Sequence, residues 1–226
     1  MNEHPRWHTV TLEDTVVRVY PPRSTMRPSA LFVLLHGWTG DESVMAPFID
    51  VVPPQALVLT FRAPFPTRDI RGGYSWIDRQ PTKTPFAFVE YQPTFARLSK
   101  WLHEIGHRYP DIPWQQQHWM GFSQGASVAA AFALQYPHGI QSLALLAGFL
   151  PAGSEALIAH RPLEGKHAFV AHGVQDPIVD IRYGRAARDL LEKAGARVTY
   201  CEDNVGHKVG AKCRRGLRDF YREVCA

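Results

Sequence analysis

The residues whose types and spacing are best suited to chemistry are Gly121-Phe122-Ser123-Gln124-Gly125. A serine with a glycine two residues away on each side fits a nucleophile elbow, a tight turn that joins a strand to a helix. The serine of such a turn has a strained backbone, and its small neighbours let the chain turn sharply. The Ser123 hydroxyl would then project at the end of the strand, beside the N-terminus of the next helix. The chemistry expected there is nucleophilic attack on a carbonyl carbon.

An activated serine needs a base and an acid that orients the base, and candidates for both follow in the chain. Asp176 lies just after the apolar run 167–172, and His207 follows the strand-like segment 197–201. The order serine, acid, histidine is that of α/β-hydrolases and differs from the orders in chymotrypsin-like and subtilisin-like proteases. Two other carboxylates compete with Asp176. Asp180 is predicted to cap a helix, and Asp203 is close to His207 in the chain.

The elements that must position these residues can be predicted from apolar patterning. Continuous apolar runs are typical of strands buried on both faces of a parallel sheet, and here they alternate with helical patterns. The predicted strands are 30–35, 117–120, 142–147, 167–172 and 197–201, and the predicted helices are 94–108, 126–135 and 183–194. This alternation predicts an α/β fold with a mainly parallel central sheet and helices on both faces. With 226 residues, we expect a single domain, 1–226, without a large lid domain.

Five segments carry a resemblance to a known family. They are LHGWTGDE (35–42), GYSWID (73–78), WMGFSQGASVA (119–129), HGVQDPIV (172–179) and the tail 194–209. In these the chain resembles α/β-hydrolases of the carboxylesterase/phospholipase family, which includes the acyl-protein thioesterases. The resemblance implies that Ser123 is the nucleophile, His207 the base and Asp176 the acid, and that the backbone N–H groups of Trp38 and Gln124 form the oxyanion hole.

The chain departs from the family pattern at three positions without losing a catalytic group. Trp38 stands where a smaller apolar residue is more common, Ala126 where a glycine is common, and Asp180 where proline is frequent. Of these, Trp38 is expected to alter the shape of the acyl pocket.

Substrate contacts are expected from the segment between residues 61 and 93, a long loop rich in proline and aromatic residues. Loops of this length are uncommon in compact domains unless they serve a site. The alternative is that these aromatic rings fill a small core beneath the loop. A second wall is expected from residues 149–162. The predicted substrate contacts are Trp38, Tyr74, Trp76 and Phe149.

The function predicted from these features is hydrolysis of carboxylic esters or thioesters of small soluble substrates through a Ser-His-Asp triad and an acyl-enzyme, with no cofactor. Short to medium acyl chains are expected, because neither wall has the apolar bulk of a lipase lid. The alternatives are a phospholipase or small peptidase with the same triad, or a hydrolase-like receptor that binds a small ligand with little turnover. The sequence does not distinguish a monomer from a homodimer.

Residues 103–107 form a second motif, His-Glu-Ile-Gly-His, which matches the zinc-protease pattern H-E-x-x-H. The cation of Lys100 lies one turn from His103, Gly106 weakens the helix, and no third ligand follows at a suitable spacing. We therefore predict surface histidines and no metal. His36 and His172, which both precede a glycine at a strand end, are predicted to shape loops.

Composition limits the partners and the compartment. The formal net charge is +4 and the isoelectric point about 9.0. The basic residues cluster on one face of the last predicted helix, which indicates a solvated face and, as the alternative, a weak contact with an anionic surface. Nucleic acid is not an expected partner. Cys201, Cys213 and Cys225 are predicted to be reduced packing residues. The polar N-terminus and the lack of a long apolar run predict a cytoplasmic protein without membrane insertion.

Overall fold

A computed structural model describes residues 7–23, 28–68, 72–81 and 86–226. Pro85 of the long loop and the first six residues of the N-terminus lie outside these ranges. The strands are β1 His8–Thr11, β2 Val16–Tyr20, β3 Ala30–Leu35, β4 Ala56–Phe61, β5 Phe65–Pro66, β6 Tyr74–Ser75, β7 Gln117–Phe122, β8 Ile140–Leu146, β9 His167–Gly173 and β10 Arg197–Asp203. The helices are α1 Gln92–Arg108, α2 Gln124–Gln135, α3 Glu155–Ile158, α4 Ile181–Lys193 and α5 Ala211–Val224, with 3-10 helices at Ala46–Val51 and Phe88–Tyr91.

One sheet of eight strands organises the described residues, in the order β1-β2-β4-β3-β7-β8-β9-β10. The six strands from β4 to β10 in this order pair in parallel, whereas β1 and β2 pair antiparallel. The prediction of a mainly parallel α/β fold is therefore confirmed. Since the parallel strands end at the same edge, the segments that follow β3, β7, β9 and β10 meet there.

The sheet separates two apolar cores, and β3 shows how the sequence supplies both. Leu31, Val33 and Leu35 pack into the core beneath α1, α2 and α4. The alternate residues Ala30, Phe32 and Leu34 pack into the core beneath α5 and the 3-10 helix Ala46–Val51. Side chains alternate between the faces of a strand, so a continuous apolar run is required when both faces are covered. The predicted helices on both faces are confirmed.

The prediction of three reduced cysteines is wrong for two of them. Cys201 of β10 and Cys213 of α5 form a disulfide, with their Cα atoms 5.6 Å apart. They meet because α5 packs back against the sheet immediately after the loop that contains His207. Cys225 is the free cysteine. Disulfides persist mainly in oxidising compartments, so the cysteines no longer support a cytoplasmic location, which stays a prediction.

Removal of the disulfide is expected to destabilise the fold. The Cys201→Ser/Cys213→Ser double variant should lose about 3 kcal/mol, because it frees a loop of about a dozen residues in the unfolded chain. The melting temperature should fall by roughly 6 to 12 °C for a domain of this size. Cys225→Ser is the control and should shift melting much less. If a reductant does not lower the melting temperature of the wild-type protein, the Cys201–Cys213 disulfide is contradicted.

The long loop between β4 and α1 has more structure than its sequence indicates. It contains the two-stranded ribbon β5–β6 and the 3-10 helix Phe88–Tyr91. Phe86, Trp76 and Tyr91 are buried, so these rings are not free to contact a substrate, but they belong to the main core of this face of the sheet and not to a small separate core beneath the loop. Among the described residues, no helix is long and apolar enough to cross a membrane.

Candidate active site

Ser123 lies in a strained turn between β7, which ends at Phe122, and α2, which begins at Gln124. Its backbone dihedrals are φ 53° and ψ −115°, a combination that a non-glycine residue rarely adopts. The two flanking glycines make the turn possible. A Cβ on Gly121 would lie 2.2 Å from the carbonyl oxygen of Gly125, and one on Gly125 would lie 2.3 Å from that of Leu35. The turn therefore has the geometry predicted for a nucleophile elbow.

The structure brings Ser123, His207 and Asp176 together at the carboxyl edge of the sheet. His207 Nε2 lies 3.0 Å from Ser123 Oγ, and His207 Nδ1 lies 2.6 Å from Asp176 Oδ2. Since a carboxylate accepts hydrogen bonds, Nδ1 donates its proton to Asp176, and Nε2 is left to accept the Ser123 hydroxyl proton. This arrangement can remove a proton from the serine as it attacks an electrophile.

Asp176 is held rigidly for a residue in a loop. Its side chain is fully buried, whereas that of His207 is 20% exposed. Oδ1 accepts hydrogen bonds from the backbone N–H groups of Ile178, at 2.8 Å, and Val179, at 2.9 Å. A buried carboxylate needs such partners. One oxygen is thus fixed by the backbone, and the other is available to His207.

The two rival carboxylates have other partners. Asp180 caps α4, and its side chain accepts the backbone N–H of Arg182 at 2.9 Å. Asp203 accepts the backbone N–H groups of Asn204 and Lys212, so it holds the start of α5. The geometry therefore favours Asp176 as the partner of His207.

The loop after β3 passes directly beside Ser123. A Cβ on Gly37 would lie 3.3 Å from the Cβ of Ser123, and the next residue, Trp38, is partly exposed. Gln124 is the first residue of α2, so its backbone N–H has no acceptor within the helix. Gln124 follows Ser123 directly, and Trp38 follows the glycine that lies beside it, so the backbone N–H groups of Trp38 and Gln124 are the candidates for the two donors of an oxyanion hole.

Three residues that the sequence analysis assigned no such role hold this loop in place. Tyr74 forms a backbone bridge to it, accepting from the N–H of Thr39 and donating to the carbonyl of Gly40, both at 3.0 Å. The Arg62 guanidinium donates to the Tyr74 hydroxyl at 3.3 Å and to both carboxylate oxygens of Glu42 at 2.7 and 2.9 Å. No local sequence pattern predicts these contacts, because Glu42, Arg62 and Tyr74 are far apart in the chain.

The pKa of Glu42 is lowered by its partners although the residue is largely buried. Burial raises the pKa of Glu42, but the hydrogen bonds from Arg62, a hydrogen bond from its own backbone N–H and the positive charge of Arg62 together lower the pKa below the ordinary value. Its interaction with Arg62 is thus fully present above the ordinary pKa of a glutamate and is lost as the pH falls through the lowered value.

His36 is a structural residue, as predicted. Its Nδ1 donates to the carbonyl of Gly37 at 2.7 Å, and its Nε2 accepts the backbone N–H of Ala63 at 3.0 Å. Burial lowers the pKa of His36 to about 4, so the ring is neutral near pH 7. Both nitrogens are used to fix the loop after β3.

Trp76 does not fit its predicted role as a substrate contact. Its side chain is completely buried in the main core. The indole Nε1 donates to the carbonyl of His36 at 2.8 Å, and the backbone N–H donates to Gln124 Oε1 at 3.0 Å. Trp76 therefore links the loop after β3 to the start of α2, next to Ser123. Tyr74 and Phe149 are partly buried, and the Phe149 ring centre lies 6.3 Å from that of Tyr183.

The H-E-x-x-H segment lies on α1, away from these residues. His103 and His107 are exposed, and their Nε2 atoms are 2.9 Å apart, while Lys100 forms an ion pair with Glu13. Within the described part of the chain, no group of three His, Cys, Asp or Glu residues could hold a metal ion.

Known proteins are similar to this chain in sequence and in fold. A model of the phospholipase/carboxylesterase family matches residues 22–222. The chain is 37% identical over 75 residues to acyl-protein thioesterase 1 of Kluyveromyces lactis, a match that covers 32% of this chain and 33% of that protein. It is 32% identical over 95 residues to carboxylesterase SOBER1 of Arabidopsis thaliana, which covers 41% of each. These matches thus span only a third to two fifths of the curated relatives.

Solved structures match over nearly the whole chain. A carboxylesterase of Bacillus cereus superimposes with a TM-score of 0.80 at 24% identity, covering 94% of this chain and 95% of that one. A carboxylesterase of Mesorhizobium loti gives a TM-score of 0.79 at 21% identity, covering 96% and 98%. At these identities the likeness shows the fold, and the predicted α/β-hydrolase fold is confirmed.

Proposed function

Because the chain belongs to the phospholipase/carboxylesterase family, we propose that it is a serine hydrolase that cleaves carboxylic esters or thioesters of small soluble substrates. The observation that carries this proposal is the continuous hydrogen-bonded array from Ser123 through His207 to the buried carboxylate of Asp176. A receptor that only bound its ligand would not need this array, so its presence favours turnover.

In the first half of the proposed reaction, Ser123 Oγ attacks the carbonyl carbon as His207 Nε2 takes the hydroxyl proton. Asp176 stabilises the imidazolium that forms and keeps the proton of Nδ1 directed at its own carboxylate. The oxygen of the tetrahedral intermediate becomes negative, and the backbone N–H groups of Trp38 and Gln124 donate to it. His207 then returns its proton to the leaving alcohol or thiol, and the acyl group remains on Ser123.

In the second half, a water molecule replaces the leaving group. His207 Nε2 removes one proton as the water oxygen attacks the acyl carbon, and the same proton returns to Ser123 Oγ when the acid leaves. The free enzyme is thereby restored. Every step uses groups of this chain and water alone.

The proposed substrate contacts are Trp38, Tyr74 and Phe149. All three are partly buried, so each retains exposed surface for a ligand. Tyr74 and Trp38 lie on the two segments that are bridged beside Ser123. We propose that short to medium acyl chains lie against these rings.

Substitutions of Trp38 separate the role of its backbone from that of its side chain. Trp38→Leu keeps the N–H and should change mainly the acyl-chain preference. Trp38→Pro removes the donor and should lower kcat roughly 10²- to 10³-fold, about 3 to 4 kcal/mol of transition-state stabilisation. The comparison requires that both variants melt like the wild type. Full turnover in a well-folded Trp38→Pro enzyme would place the oxyanion hole elsewhere.

The proposed function is tested with nitrophenyl esters and acyl thioesters of graded chain length, together with phospholipid vesicles. We expect kcat/KM to be highest for short to medium soluble acyl chains and to vanish in Ser123→Ala. Hydrolysis of vesicles alone would indicate a phospholipase instead. Tight ligand binding with no turnover would indicate a receptor.

A further inference from the structure

His172, the penultimate residue of β9, is a buried histidine that the proposed reaction does not use. No part of its side chain is exposed. Its Nε2 donates to the backbone carbonyl of Val179 at 2.7 Å and lies 3.6 Å from Asp176 Oδ2. The second distance is too long for a hydrogen bond, so the contact with Asp176 is indirect.

The link between His172 and Asp176 runs through Val179. The N–H of Val179 donates to Asp176 Oδ1 at 2.9 Å, while its carbonyl accepts from His172. Both backbone polar groups of Val179 are therefore hydrogen-bonded, the N–H to Asp176 and the carbonyl to His172. A shift of Val179 would move a donor that fixes the Asp176 carboxylate.

We propose that His172 is a positioning residue, which fixes the 176–179 turn and thereby keeps Asp176 in line with His207. The inference rests on the proposed function, because it assigns His172 a part in the same reaction. It extends the sequence prediction that His172 shapes a loop, since it names which backbone group is held and which site residue benefits.

The packing around His172 selects one tautomer of the ring. Nδ1 is buried and has no hydrogen-bond partner among the described residues. A Cβ on Gly184 of α4 would lie 2.5 Å from this atom. Because the Val179 carbonyl can only accept, the proton of the neutral ring must be on Nε2. Because Gly184 has no side chain, the His172 ring fits against α4 with its Nε2–H directed at the Val179 carbonyl.

The test compares two substitutions that differ in the donor. His172→Leu removes it, and we expect kcat to fall about 10- to 100-fold, the range expected when a reacting group is misplaced by about 1 Å, with KM changed little. His172→Gln places an amide N–H near the position of Nε2 and should restore most of kcat.

A matched control distinguishes a misplaced Asp176 from the general loss of stability that follows removal of a buried imidazole. His118 of β7 is also buried and hydrogen-bonded, to Ser142 Oγ at 2.8 Å, but contacts none of the site residues in these bonds. His118→Leu should lower the melting temperature and leave kcat unchanged. The low-field proton resonance of His207 Nδ1 gives a direct readout, which should weaken in His172→Leu and persist in His172→Gln and His118→Leu.

The outcomes distinguish this inference from the proposed function. Wild-type kcat in His172→Leu, or equal losses in the Leu and Gln variants, would overturn it. If His172→Leu does not fold, Gly184→Ala displaces the same ring from α4, and wild-type kcat in that variant would overturn it equally. Full turnover in Ser123→Ala would instead refute the proposed function itself.

Discussion

Ser123→Ala is expected to lower kcat by on the order of 10⁴-fold or more, because the loss of one member of a catalytic unit removes nearly the whole contribution of that unit. The side chain is partly exposed at its turn, so its replacement should leave the fold intact. The measurement is steady-state hydrolysis of the best nitrophenyl ester of the panel.

Ser99→Ala is the control for this variant, since Ser99 is exposed on α1. It should have wild-type kcat. Substantial hydrolysis by a well-folded Ser123→Ala enzyme would show that another nucleophile, or a directly activated water, performs the reaction.

The second large effect is expected at Asp176. Asp176→Asn should lower kcat about 10⁴-fold, because the amide no longer selects the tautomer in which His207 Nε2 accepts the serine proton. The amide oxygen can still accept the backbone N–H groups of Ile178 and Val179, so melting should change little. KM should also change little, because Asp176 is buried and does not contact the substrate.

Two matched variants control for loss of a carboxylate near the same edge of the sheet. Asp180→Asn and Asp203→Asn remove charges that serve the starts of α4 and α5. Both should keep kcat within a few fold and change stability little, because an asparagine side-chain oxygen accepts these backbone N–H groups about as well as an aspartate oxygen does. If either has the larger effect on kcat, the acid has been assigned to the wrong residue.

The sequence predicted the elements whose signals are local. The elbow depends on residues within two positions of Ser123, and the buried strands of the parallel sheet appear as unbroken apolar runs. The antiparallel strands β1 and β2 were not predicted, because they are short and carry mixed polar and apolar residues at the edge of the sheet. β2 pairs with β4, and β1 pairs with β2, so these contacts decide the pairing rather than the pattern of either strand.

Features that depend on distant residues could not be predicted. Trp76 packs in the main core and hydrogen-bonds to His36 and Gln124, which are 40 and 48 residues away, so its burial has no local signal in the sequence. The disulfide depends on how α5 packs against β10, and three cysteines alone do not specify a pair. The contacts of Arg62 with Tyr74 and Glu42 were not predicted for the same reason, since a hydrogen bond or an ion pair between separate segments leaves no periodic signal in the sequence.

The most direct test of Ser123 as the nucleophile is to map the site of covalent reaction with a fluorophosphonate probe by mass spectrometry. We expect a single adduct on Ser123, no adduct in Ser123→Ala, and much slower labelling of Asp176→Asn, since only an activated serine reacts with the probe. An adduct on another residue, or no adduct on Ser123 in an enzyme that still hydrolyses esters, would contradict this assignment.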